Sequence, residues 1–270
     1  MRSFPLFAQP TSLVYEKADG RVDMSDLSEA AAEDESVADD EEAAAVRRSG
    51  WRIWLKRLSA AAAVIVVLPF VLTPLYLFIR PVSTLMVWDL VTFQGYSRQW
   101  VDLDNIAPSM KQAVIMSEDG QFCFHDGVDW AQLRSVLSRD GGPNRGASTI
   151  TMQTVKNVFL WPSRSYIRKG LEIPLALYAD FIWPKRRTLE IYLNIAELGP
   201  NVYGVEAAAR YYYKKPASRL SRHEAALIAA ALPNPAIRSP LKPSRAQKTL
   251  ARIIERRISQ SGAYVECLAR

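Results

Sequence analysis

Residues 113–130 read AVIMSEDGQFCFHDGVDW, and the fold turns on how this run divides. Its apolar, helix-compatible start ends in Ser117-Glu118-Asp119, and Phe122, His125 and Gly127 follow. A carboxylate beside apolar side chains has its charged form disfavoured, which lifts its pKa toward the range of a general base. Alone, an acidic pair at a helix end is an ordinary solvated terminus, and a histidine beside a phenylalanine is more often packed than catalytic. The segment therefore supplies candidates, and its neighbours must decide.

Working outward toward the C-terminus, residues 146–157, GASTITMQTVKN, read as loop, N-cap and helix, with Ser148 and Thr149 at the head. A helix N-terminus presents unpaired N–H groups and positive potential, which suits an anionic ligand. Gln153 and Lys156 share one face at i, i+3, and Asn157 follows. Arg164, Arg168 and Lys169 then precede a second carboxylate, Glu172. Arg168 and Glu172 are four apart, so the bland reading is a surface ion pair worth little. Three cations before one carboxylate also describe a pyrophosphate cradle. Residues 173–187, IPLALYADFIWPKRR, suit either a core helix or a surface dipping into a bilayer, with Tyr178 and Trp183 at the interface.

The flanking pattern is helical. Asp129 caps a helix with Leu133, Val136 and Leu137 on one face and Gly141-Gly142 as its stop. From Lys185, Leu189, Tyr192, Leu193 and Ala196 form one stripe. Ser221 and Glu224 make a capping box before AALIAAAL, ended by Pro233 and Pro235. An amphipathic helix is expected over residues 244–259, and a mobile loop over 140–146. No period-2 strand pattern competes, so the domain is expected to be mainly α.

Toward the N-terminus, residues 58–79 carry no charge, LSAAAAVIVVLPFVLTPLYLFI. As a helix they would reach about 33 Å, enough for a bilayer's hydrocarbon core, where Pro69 and Pro74 are tolerated. Arg47, Arg48, Arg52, Lys56 and Arg57 precede the run, with Trp51 and Trp54, and only Arg80 follows before Arg98. That imbalance places the N-terminus in the cytoplasm and residues 80–270 outside. The run is too long and begins too late for a cleaved signal peptide.

Net charge is +6, but residues 1–46 hold 12 acidic and 3 basic side chains, leaving +15 on the rest. The acidic segment buries too little to offset its ordering entropy and is expected to be a disordered tail. It could dock a partner; a solvated extension is the simpler reading. The basic remainder calls for an anionic partner. Nucleic acid does not fit, because the cations cluster beside a span on its outward side. Cys123 and Cys267 could pair, but they are far apart in the chain and one lies inside the densest motif, so unpaired thiols are the favoured reading; neither their number nor their spacing supports a metal site.

Glu118-Asp119-x-x-Phe122-x-x-His125-x-Gly127, Gly-Ala-Ser-Thr-Ile through Gln153-x-x-Lys156-Asn157, and Arg168-Lys169-x-x-Glu172 resemble three signature blocks of the peptidoglycan glycosyltransferase family, which includes domains of class A penicillin-binding proteins. The resemblance runs through residues 99–240, with LEIYLNIAELGPNVYGVEAAARYYY and LSRHEAALIAAALPNP as the later blocks. Only about 30 residues follow, so the chain resembles the monofunctional branch, without a transpeptidase domain. Where the family has Gln-Gln this chain has Met152-Gln153, and a Phe-Gly-Lys element is Tyr213-Lys214-Lys215, which puts a tight turn at Lys214 in question.

The resemblance implies a lysozyme-like helical domain behind one transmembrane helix in a bacterial inner membrane, with the domain periplasmic. It implies lipid II and the growing glycan chain as substrates, proteins of cell-wall synthesis or division as possible partners, Glu118 and Glu172 as catalytic carboxylates, and Asp119, Phe122, His125, Ser148, Thr149, Gln153, Lys156, Asn157, Arg164, Arg168 and Lys169 as substrate-binding residues. No cofactor is firmly implied; a divalent cation such as magnesium at the pyrophosphate is compatible with the pattern. A glycan-cleaving enzyme would also use a carboxylate in a helical domain, but cleaving a neutral glycosidic bond needs no cluster of cations.

Overall fold

The computed structural model of the protein describes residues 51, 53–138, 147–162 and 165–269. The acidic tail, Arg164 and the expected mobile loop at 140–146 lie outside the described residues. The chain divides into two units, Met1–Ala63 and Val64–Arg270. The second unit holds the folded domain and the later part of helix α1, Ile53–Leu75, which crosses the division.

Helix α1 is long and apolar enough to cross a membrane. It begins earlier than the uncharged run, because Lys56 and Arg57 are good helix formers, and it ends just past Pro74. Pro74 has no N–H to give the carbonyl four residues back, at Phe70. That carbonyl is met instead by the Tyr178 hydroxyl at 3.1 Å, and the Thr73 carbonyl by Trp183 Nε1 at 2.7 Å. The chain beyond the helix is held by Arg187, which donates to the Tyr76 and Ile79 carbonyls at 2.9 and 2.8 Å.

Nine further helices are described: α2 Thr84–Val91, α3 Pro108–Glu118, α4 Trp130–Leu137, α5 Ile150–Phe159, α6 Tyr166–Ile182, α7 Lys185–Ile195, α8 Val205–Tyr213, α9 Arg222–Ala231 and α10 Arg245–Ile258. Their starts follow from the caps. Asp129 accepts from Gln132 N, Thr149 from Met152 N and Ser244 from Gln247 N, and Ser221 and Glu224 form both halves of the capping box. The stripe Leu189, Tyr192, Leu193 and Ala196 is buried as its period requires.

Three very short strands were not legible in the sequence: β1 Ser97–Arg98, β2 Glu197–Gly199 and β3 Val202–Tyr203. They form a sheet in the order β1-β3-β2, with β1 parallel and β2 antiparallel to β3. Two or three residues cannot display a period of two, which is why the alternation was missing.

Two hydrophobic cores result. One gathers α3, α8, α9 and α10; the other gathers α2, α6 and the Trp183 side chain. Helix α5 serves both, with Ile150 in the first and Met152, Val155 and Val158 in the second. The C-terminal end of α3 and the polar face of α5 therefore meet at the seam between the cores.

Two expectations are settled here. Cys123 and Cys267 are joined in a disulfide, with their Cα atoms 5.5 Å apart, so the reading as unpaired thiols is corrected. Sequence separation carries no information about this contact. It is made because the C-terminal turn Gly262–Leu268 packs beside the loop after Glu118, where the rings of Phe124 and Tyr264 meet edge to face. At Lys214 the tight turn is kept: this residue caps α8 in the left-handed conformation, φ 55° and ψ 31°, without the glycine that favours it.

Candidate active site

Glu118 is the last residue of α3 and lines a cleft of about 1020 Å³. Its Oε2 accepts from Gln153 Nε2 at 3.1 Å, and Gln153 Oε1 accepts from the Tyr192 hydroxyl at 3.0 Å. This chain orients the amide, because the buried Tyr192 hydroxyl is held strongly protonated by burial and by the nearby carboxylates of Glu118 and Asp119. Burial also pushes the Glu118 carboxyl above its usual range; the Gln153 hydrogen bond opposes that shift, and the Asp119 charge adds to it.

Asp119 is only 2% exposed and performs a structural task. Its Oδ2 accepts from Ile150 N at 2.9 Å, and His125 Nε2 lies 3.0 Å from both carboxylate oxygens. The anion at the head of α5 is thus the chain's own Asp119, so the free helix terminus expected for a ligand is occupied. The Thr149 hydroxyl is likewise engaged, donating to the Gly127 carbonyl at 2.6 Å and accepting from Met152 N. Gly127 has φ +79°, and a Cβ there would meet the Ala176 carbonyl oxygen at 2.5 Å, so only glycine lets this loop lie against α6. Phe122 is fully buried in the first core, with Lys185 Nζ 5.1 Å from its ring centroid. These side chains position Glu118 from behind.

The second carboxylate is built differently. Glu172 is 2% exposed on the inner face of α6, ion-paired to Arg168, and its Oε2 lies 2.7 Å from Lys169 Nζ. The bland reading as a surface pair fails on this burial. Lys169 Nζ also donates to Ser148 Oγ at 2.8 Å, and Ser148 lines the same cleft as Glu118. Burial, with the charges of Arg168 and Lys156, pulls the Lys169 ammonium down to about 8. Lys156 is lowered too, by burial first and then by Arg168, with Glu118 acting in the opposite sense. It is the cation electrostatically coupled to both ends of the site. Asn157 is half-buried, and its carbonyl accepts from the Thr84 hydroxyl at 3.2 Å.

Glu172 is a poor ligand for a divalent cation, because Arg168 and Lys169 take its two oxygens. Among the described residues no group of three or more His, Cys, Asp or Glu is placed to hold a metal ion.

Three residues escaped the sequence reading. Tyr192 lay on a stripe assigned to core packing, although a tyrosine among leucines needs a partner for its hydroxyl. Arg238 and Arg257 line the same cleft as Glu118. Arg257 donates to the Met116 carbonyl at 3.1 Å and Arg238 to that of Ala230 at 3.2 Å. Their only signal was a positive charge just past the proline pair and at the end of an amphipathic helix.

A family model described as Transglycosylase matches residues 88–258. A protein of Agrobacterium fabrum named biosynthetic peptidoglycan transglycosylase is 56% identical over 222 residues, covering 81% of this chain and 98% of its own length. Proteins of the same name from Brucella suis biovar 1 and Rhizobium meliloti are 56% and 55% identical, covering 80% and 83% of this chain and 100% and 96% of their own lengths. The helical architecture agrees with the lysozyme-like domain expected from the resemblance. The chain belongs to the transglycosylase family and is a monofunctional peptidoglycan transglycosylase of cell-wall biosynthesis.

Proposed function

We propose that the chain polymerises lipid II into glycan strands, with Glu118 as general base. The observation that carries this reading is a half-buried carboxylate with a raised pKa in a cleft that also holds Ser148, whose hydroxyl accepts from Lys169, one of the cations around a second carboxylate. A sugar 4-hydroxyl is a poor nucleophile and needs a base. Glu118 takes its proton as the oxygen attacks the anomeric carbon of the lipid-linked sugar. The bond from that carbon to phosphate breaks, and undecaprenyl pyrophosphate leaves. Pyrophosphate needs its charge neutralised more than it needs a strong acid, which suits Lys156, Arg168 and Lys169. Glu172 holds Arg168 and Lys169 in place on the leaving-group side. A single displacement inverts the donor's α configuration to a β linkage.

A periplasmic setting has three supports. Helix α1 is long enough to span, and basic residues crowd its N-terminal side. A disulfide persists in an oxidising compartment. Helix α6 is double-faced: Glu172, Leu175, Ala176 and Ala179 are buried, whereas Ile167 and Phe181 are 75% and 85% exposed, an apolar outer face suited to lipid.

The test is incubation of the full chain with labelled lipid II and, separately, with purified cell wall. Polymer from the first and no soluble fragments from the second is the expected result. Fragments released from the wall, with no polymer, would assign a cleaving enzyme instead.

A further inference from the structure

Three arginines surround one indole just beyond α1. The guanidinium carbons of Arg98, Arg187 and Arg80 lie 4.9, 5.4 and 5.7 Å from the Trp100 ring centroid. Cation–π contacts hold each cation but leave the like charges repelling one another. Arg187 is accounted for, since it pairs with Glu190 and caps the Tyr76 and Ile79 carbonyls. The other two are not. Arg80 is 61% exposed and its nearest carboxylate, on Asp102, is 3.6 Å away, beyond hydrogen-bond reach. Arg98 is fixed by its strand, β1, yet its Nε and Nη2 are buried with no hydrogen-bond partner. A buried donor without an acceptor is costly, so this corner of the fold lacks an anion.

Arg80 also stands on the rim of a groove of about 450 Å³, walled by Ile79, Pro81, Val82, Val87 and Val158. The groove opens where α1 ends, and Phe78 and Trp88, next in the chain to its lining residues Ile79 and Val87, are exposed apolar side chains. An anion-deficient cluster beside an apolar groove matches one kind of molecule, a phosphate joined to an alkyl chain. We propose that this groove binds one anionic phospholipid of the surrounding bilayer, with an acyl chain among the valines and the phosphate at the exposed Arg80, within the field of Arg98 across the Trp100 ring. The lipid pins the domain at headgroup depth and offsets the mutual repulsion of the arginines around Trp100. The proposal rests on α1 as a span but not on any role for Glu118.

The test uses the full chain reconstituted with phosphatidylcholine alone or mixed with phosphatidylglycerol, then extracted in mild detergent and weighed by native mass spectrometry. Wild type should retain one phosphatidylglycerol and no phosphatidylcholine. Arg80→Gln combined with Arg98→Gln should cut that retention by about tenfold or more, from the loss of two cations near the membrane surface. Val87→Trp fills the groove without touching the charges and should lower retention as well, which guards against misfolding at Arg98. Flotation of each variant with vesicles tests the span separately. Equal retention of the two phospholipids, or retention by floating variants at the wild-type level, would overturn the proposal. So would one-for-one displacement of phosphatidylglycerol by undecaprenyl pyrophosphate, which would give the groove to the substrate.

Discussion

Gln153 joins Glu118 to Tyr192: one end of its amide donates to the Glu118 carboxylate at 3.1 Å, and the other accepts from the Tyr192 hydroxyl at 3.0 Å. The tyrosine thereby decides which end of the glutamine faces Glu118. Without that hydroxyl the amide is free to turn, and a carbonyl oxygen toward Glu118 would repel the charged form that the proposed mechanism needs. Tyr192→Phe should therefore lower polymerisation by roughly tenfold, the worth of about one hydrogen bond near a charge, while the melting temperature barely moves. A variant as active as wild type would show that the amide's orientation is irrelevant.

The pH profile should have two limbs of stated origin. In the proposed role of base Glu118 must be ionised, and burial raises its pKa, so the acid limb should fall above the range of an ordinary glutamate. Lys169, held down to about 8, loses its charge as pH rises through that value. Donor binding should weaken there, seen as a rising KM on the alkaline side. Lys169→Arg, which stays charged, should move that limb to higher pH. An unmoved alkaline limb would place its origin elsewhere.

Much of this site was legible from spacing, and the reason is local. Gln153 and Lys156 share a face of α5 because they are three apart, and Arg168 and Glu172 meet because they are four apart on α6. The starts of α4, α5, α9 and α10 showed because capping is a contact over three residues. What stayed hidden joins distant parts of the chain. Asp119 fills the head of α5 from 31 positions away, and Tyr192 reaches Gln153 across 39. The disulfide spans 144 and the β1–β3 pairing is two residues long, so neither leaves a periodic trace.

Lys214 carries a penalty that a single change should remove. A left-handed backbone costs a side-chain-bearing residue about 1 kcal/mol relative to glycine. Lys214→Gly should stabilise the protein by up to about that amount in chemical denaturation, offset in part by the greater freedom of glycine in the unfolded chain. A clear destabilisation would mean that the lysine side chain contributes more than the turn costs.

The Cys123–Cys267 bond closes a long loop and anchors the turn Gly262–Leu268, whose Tyr264 lines the cleft. Replacing both cysteines by serine should cost about 2–4 kcal/mol of stability and abolish the reductant sensitivity of thermal unfolding. Wild type denatured without reductant should show no titratable thiol; two reactive thiols would refute the pairing.

Glu118→Gln is the most direct test, because it removes the proposed base while keeping shape and nearly all packing. In a labelled lipid II assay, this variant should form polymer at less than about one-hundredth of the wild-type rate, the usual scale of a lost general base, and should bind the lipid donor normally. Polymerisation at the wild-type rate would contradict the assignment of Glu118 as the base.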